Sequence, residues 1–217
     1  MHYRRGTGGA APAPALCGAA RARPWQYPPL VPQAAAGAHA RGGRAVEYVR
    51  IPQRRIGVLI GPDGETRKEF EVATGCTLEI DSQTGIVRVV QPKRGDALLA
   101  LQLLAVVRAI GRGFSPETAR ELLDPETYLE VVDIRDHTGH SRKRLDRMRG
   151  RVIGRNGKTR RIIEEQSNAR MAIQGHTVAI IGSLEAVDAA KVALGMLLGG
   201  AEHGSVYHYL EGHRRSR

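Results

Sequence analysis

Aromatic side chains are scarce in this 217-residue chain, which has one Trp, two Phe and six Tyr, 4% in all. Any core must be built from Ile, Val, Leu and Ala, which suits one or two small α/β domains. Cysteine is nearly absent. Cys17 and Cys76 lie far apart without ligand spacing, so neither a disulfide framework nor a zinc site is expected. The eight histidines are scattered. His137 and His140 could share a helix face, but no carboxylate or cysteine set accompanies them, and no metal or other cofactor is expected. No apolar run approaches the roughly 20 residues of a membrane span. Arg4 and Arg5 are not followed by the apolar core of a secretory signal. No membrane partner is therefore expected, and a cytoplasmic location follows by default.

Charge of one sign dominates. Net charge is +11 and the pI is about 10.3, a balance that points to a polyanionic partner, most often nucleic acid. Lysine is rare, so arginine supplies 28 of the 33 basic residues. Arginine's flat fork of donors matches phosphate and stacks on bases, although GC-rich coding or heat adaptation would also enrich it. Residues 1–44 contain no acidic residue and are mostly Ala, Pro, Gly and Arg. Such a segment buries little and is expected to be a disordered tail. It reads either as a basic arm adding nonspecific RNA affinity or as a dispensable extension from a misplaced gene start.

The remainder contains an internal repeat. Gly57–Ile80 aligns with Gly150–Ile173 at a constant offset of 93, and eight pairs are identical: Gly57/Gly150, Ile60/Ile153, Gly61/Gly154, Gly64/Gly157, Thr66/Thr159, Arg67/Arg160, Glu71/Glu164 and Ile80/Ile173. Three of these pairs are glycines in register. So long a period means a duplicated domain rather than a solenoid, whose repeats span about 20–50 residues. Tyr48–Ile51 and Tyr128–Ile134 read as strands. A helix broken by two glycines follows in each copy. In the second copy Leu145, Met148 and Val152 form one apolar face. A second helix is predicted over 158–166, strands over 170–173 and 178–181, and a last helix over 184–198 capped by Ser183. The corresponding last helix of copy one, 96–110, is apolar on all sides and should be buried on all sides. Its second face is expected to pack on copy two, making one rigid body. Between the copies, Ser115 should cap a short helix that opens at Pro116 and stops at Pro125.

The order strand–helix–helix–strand–strand–helix, with Gly154-Arg155-Asn156-Gly157 between its first two helices, resembles the KH module. There a GXXG loop clamps about four nucleotides of single-stranded nucleic acid. Glycines let a sugar-phosphate backbone approach closely, and a helix N-terminus favours phosphate. One GXXG is a weak signal, but two in the same framework are a strong one. Charge separates the copies. Ser141–Arg161 carries ten basic residues against Asp146, a balance of +9, whereas the matching window Tyr48–Lys68 carries +3. The second copy is thus predicted to be the main RNA-binding module, through Arg149, Arg151, Ile153, Gly154, Arg155, Asn156, Gly157, Lys158, Arg160 and Arg161. The first should bind more weakly, through Gly61, Pro62, Asp63, Gly64 and Arg67. Pro62 lacks an amide donor, and Asp63 puts a carboxylate where phosphate would lie. Gly157-Lys158-Thr159 superficially ends like a nucleotide-binding P-loop, but that motif needs a glycine at Val152. An RRM is excluded because strands 170–173 and 178–181 carry no aromatics.

The run Arg149 to Glu164, the segment Gly175–Gly182, and the ending Gly199–Leu210 with His203-Gly204-Ser205-Val206-Tyr207 resemble the archaeal two-KH ribosome-assembly proteins. Those are related to the eukaryotic small-subunit factor that partners the Nob endonuclease. The likeness covers roughly Val46–Leu210. Both copies depart from the common KH pattern at Arg67 and Arg160, where an aliphatic residue is usual. The resemblance implies an α+β fold of two tandem eukaryotic-type (type I) KH domains packed together. The expected division is a tail over 1–44, KH domains over 45–113 and 127–210, a linker helix over 114–126, and a basic C-terminal tail over 211–217. It also implies a non-enzymatic binder of single-stranded RNA, the 3′ region of small-subunit rRNA, during pre-rRNA processing. An endonuclease or other assembly factors would be protein partners. From the residues alone, an RNA-processing enzyme or exosome-like subunit and a messenger-RNA regulator stay open.

Overall fold

The computed structural model describes residues 46–92, 96–139 and 141–215. The expectations for the N-terminal 44 residues, for His140 and for the last two residues lie outside them. Two modules of like topology follow one another. In module 1, strand β1 (Val46–Arg50) leads to helix α1 (Gln53–Ile60), a 3-10 turn over Pro62–Gly64, helix α2 (Glu65–Thr74), strands β2 (Thr77–Asp81) and β3 (Ile86–Val90), and helix α3 (Ala97–Gly111). In module 2, β4 (Tyr128–Asp133) is followed by the short helix α5 (Arg135–Thr138) and by α6 (Arg142–Ile153). A 3-10 turn over Arg155–Gly157 leads to α7 (Lys158–Ser167), β5 (Arg170–Gln174), β6 (Thr177–Gly182), α8 (Leu184–Leu198) and α9 (His203–Arg215). Both sheets are antiparallel with the last strand central, in the orders β1-β3-β2 and β4-β6-β5. The predicted caps form as the spacing indicated. Ser183 accepts from the Ala186 amide and opens α8, and Ser115 accepts from the Thr118 amide and opens α4 (Pro116–Ala119).

The repeat extends to hydrogen bonds. Glu71 accepts from the Leu78 amide at 2.7 Å, and Glu164 accepts from the Met171 amide at 2.7 Å, each anchoring the second helix to the next strand. Arg67 and Arg160 each sit 3.2 Å from that same glutamate. The two arginines that depart from the common KH pattern are therefore partners of a carboxylate already engaged with the sheet.

Strand β6 shows how the modules join. Val178 and Ile180 point into module 2's own core, while Ala179 and Ile181, with Ala172, pack into the core of module 1 and the linker residues Phe114, Ala119 and Leu122. Alternating side chains point to opposite faces, so the unbroken apolar run Val178–Ile181 reflects cover on both sides. Helix α3 fulfils the all-round burial expected of it only over its second half, where Leu103, Val106, Val107 and Ile110 are buried. Leu98 and Leu101, in its first turns, stay 51% and 54% exposed. The reason is geometric: the linker, α4 with a 3-10 turn over Arg120–Leu123, is the main element laid on α3. The linker turn also ends at Leu123, short of Pro125. Arg55 fastens the arrangement, donating from Nε to the Ile110 carbonyl at 2.8 Å and from Nη2 to the Phe114 carbonyl.

The expected C-terminal boundary moves. Helix α9 runs to Arg215 and buries Val206 and Leu210 against α7 and α8, so residues 211–215 continue module 2 rather than begin a tail. Among the described residues no helix is long and apolar enough to cross a membrane.

Candidate nucleic-acid interface

The loop between α6 and α7 and the helix leading into it hold three glycines, each with a separate reason. Gly154 ends α6 at φ 74°, ψ 173°, and a Cβ there would lie 2.2 Å from Thr159 Oγ1 and 2.7 Å from the Thr159 amide nitrogen. Packing alone demands glycine at that position. Gly157 has φ 74° and ψ 12°, the left-handed region, yet nothing lies within 4 Å of where a Cβ would sit. Gly150 is interior to α6 and exposed, and its Cβ position is also open. A glycine inside a helix costs about 1 kcal/mol relative to alanine. Neither packing nor strain requires it here, whereas close approach by an external backbone would. No side chain caps α7, and although the Lys158 amide bonds the Arg155 carbonyl within the turn, the positive end of the helix faces the loop and favours an anion. Asn156 holds a left-handed φ of 52°, a conformation asparagine tolerates better than most residues.

Module 1 repeats this geometry closely. Gly61, Asp63 and Gly64 have φ of 74°, 49° and 76°, and a Cβ on Gly61 would meet Thr66 Oγ1 at 2.1 Å. Ile60, Gly64, Arg67 and Ile80 line a cleft beside the loop. Module 2 has Ile153, Gly157, Arg160 and Ile173 at the matching places. The two loops thus differ in charge rather than in backbone geometry. Where module 2 has Arg155, Asn156 and Lys158, module 1 has Pro62, Asp63 and Glu65.

Of the residues singled out in module 2, Arg155, Asn156, Lys158 and Arg161 are exposed around the loop. Arg161 Nη2 donates to the Asn156 carbonyl at 3.2 Å and braces the turn. Arg160 is half-exposed but tied to Glu164, and Arg149 pairs with Asp146 at 3.1 Å. Arg151 is placed differently from the others: its guanidinium turns to the connection between α8 and α9, where Nη2 donates to the Ala201 carbonyl. The Arg151 carbonyl in turn lies 3.1 Å from His203 Nε2. The residues missed in sequence are Gly150, Thr159 and Tyr207. Tyr207 reaches Thr159 Oγ1 with its hydroxyl at 3.2 Å, so α9 braces the loop from behind through the residue that packs on Gly154. Gly150 was already visible as one of the paired glycines.

Among the described residues no three His, Cys, Asp or Glu side chains gather as metal ligands. Cys76 is buried, and burial pushes its thiol up, away from the reactive thiolate.

Residues 128–215 match the family model of the eukaryotic-type KH domain (KH-domain type I), and residues 46–104 match that of the KH domain. The chain is 43% identical over 172 residues to the KH domain-containing protein MJ0443 of Methanocaldococcus jannaschii, covering 79% of this chain and 75% of that one. It is 34% identical over 114 residues to the pre-rRNA-processing protein PNO1 of Chaetomium thermophilum, 51% of this chain and 44% of that relative's length. The fold matches the crystal structure of Dim2p from Pyrococcus horikoshii OT3 with TM-score 0.73 and 47% identity, covering 77% of this chain and 99% of that one. It also matches a chain of the a/eIF2alpha–aDim2p–rRNA complex from the same organism with TM-score 0.75 and 46% identity, covering 80% and 96%. This chain belongs to the family of two-KH-domain pre-rRNA-processing proteins that includes archaeal Dim2p and eukaryotic PNO1.

Proposed function

We propose that the protein is a non-enzymatic assembly factor that binds single-stranded RNA, with the 3′ region of small-subunit rRNA as its target. Module 2 is the main clamp and module 1 a weaker one. The observation that carries this reading is the loop of module 2. Open glycine faces at Gly150 and Gly157 adjoin an uncapped helix N-terminus within a segment of charge +9. A backbone can approach there, and Arg155, Lys158 and Arg161 surround the point where its phosphate would rest. A related protein forms a complex with rRNA and a/eIF2alpha, which supports rRNA as the ligand class. An endonuclease or another assembly factor is the protein partner that the family resemblance suggests.

The test is binding of a single strand carrying the small-subunit 3′ sequence, compared with its duplex, over a range of salt. Single-strand affinity should fall with salt at about 0.7 log units per log unit for each phosphate contact. Arg155→Ala and Lys158→Ala should each lower that slope by about one such step. Equal binding of duplex, or RNA turnover that disappears in Lys158→Ala, would contradict the reading.

A further inference from the structure

Helix α6 is longer than its counterpart. It spans Arg142–Ile153, whereas α1 begins at Gln53, only four residues before Gly57. At 100° per residue, Leu145, Met148 and Val152 form the inward face, and Gly150 lies opposite them. Lys143 and Arg147 fall within about 60° of Gly150 on that outward face, both exposed. The acid on the same face, Asp146, is neutralised by Arg149 at 3.1 Å. Neither Lys143 nor Arg147 is held in an ion pair among the described residues. Module 1 has exposed arginines at both places, Arg54 for Arg147 and Arg50 for Lys143, but Arg50 lies in β1 and not on the helix, so only module 2 sets both cations along one helix face. We propose that the Gly150–Arg147–Lys143 face of α6 is a second stretch of RNA track, specific to module 2, which binds the phosphates of nucleotides leaving the loop.

Gly150 gives an external backbone room beside the loop, so a strand crossing it continues along α6. Lys143 lies seven residues further back, about 10 Å along the axis. Two unpaired cations lie along that path.

The inference rests on the clamp reading above, and the experiment separates the two. Salt-dependent affinities of the full chain for oligouridylates of four and ten nucleotides are compared with those of a Lys143→Gln/Arg147→Gln variant. Glutamine keeps helix propensity on an exposed face, and circular dichroism checks the fold. On the ten-nucleotide RNA the variant's slope should be lower by about 1.4, two contacts' worth. Between 50 and 200 mM salt the unmodified protein would then lose roughly sevenfold more affinity than the variant. On the four-nucleotide RNA the two slopes should coincide. An unchanged slope on the longer RNA, or an equal fall on both, would overturn the track. Arg155→Asp/Asn156→Asp is read in parallel. If it leaves four-nucleotide binding intact, the clamp reading fails and the track fails with it.

Discussion

Glycine does opposite things at three neighbouring positions, and single substitutions should separate them. Gly154→Ala puts a methyl group 2.2 Å from Thr159 Oγ1 at a left-handed φ. It should destabilise the fold by well over the roughly 1–2 kcal/mol that left-handed strain alone costs. Gly157→Ala carries that strain without a clash and should cost about 1 kcal/mol. Gly150→Ala should stabilise the protein by up to about 1 kcal/mol, since it removes a helix-interior glycine from an open surface, while weakening RNA binding. Urea unfolding and RNA affinity measured on all three variants would check this order. A destabilised Gly150→Ala would mean that packing, not ligand approach, keeps that glycine. The sequence showed the glycines in register but could not rank them, because the neighbours that distinguish them come from packing, Thr159 against Gly154 and open space at the other two.

At the scale of elements, the charge run on α6 shows what patterning leaves hidden. Ten basic residues read alike in sequence, yet Arg151 lies 100° round the helix from Gly150, toward the inward face, and its guanidinium is bonded to the Ala201 carbonyl between α8 and α9. Helix α9 itself is not foreseen in the sequence, where the helix over 184–198 reads as the last one. Only Val206 and Leu210 are buried along it, and the histidines and tyrosines around them blur its apolar face. Arg151→Gln should leave the Ala201 carbonyl short of a charged donor and destabilise the protein by about 1–3 kcal/mol. The salt slope for RNA should not change. A slope lowered by about 0.7 with stability intact would place Arg151 on the RNA after all.

At the scale of the whole molecule, the modules are stacked in series. On the outer face of module 1's sheet Arg88 covers the Tyr48 ring at 5.4 Å and meets Glu79 at 3.8 Å. The outer face of module 2's sheet is packed on the linker and module 1. The apolar composition of α3 signals cover on a second face, which holds only for its second half and comes from the linker in place of copy two. What covers it was not legible in the sequence, because the short linker carries few apolar residues and its position depends on the Arg55 bonds to Ile110 and Phe114. Both loops keep the same geometry under this packing, with matching cleft residues, and charge is the difference between them.

That claim is tested most directly by placing acid in each loop and measuring both affinities on one single-stranded RNA at fixed salt. Arg155→Asp/Asn156→Asp removes one cation and sets two carboxylates at the loop of module 2, and both glycines stay. Charged hydrogen bonds are worth about 1.5–3 kcal/mol each, so affinity should fall at least about tenfold. Pro62→Asp adds acid to a loop that already holds Asp63 and should change affinity little, with both variants folded by circular dichroism. Equal losses, or a larger loss from Pro62→Asp, would contradict the assignment of module 2 as the main clamp.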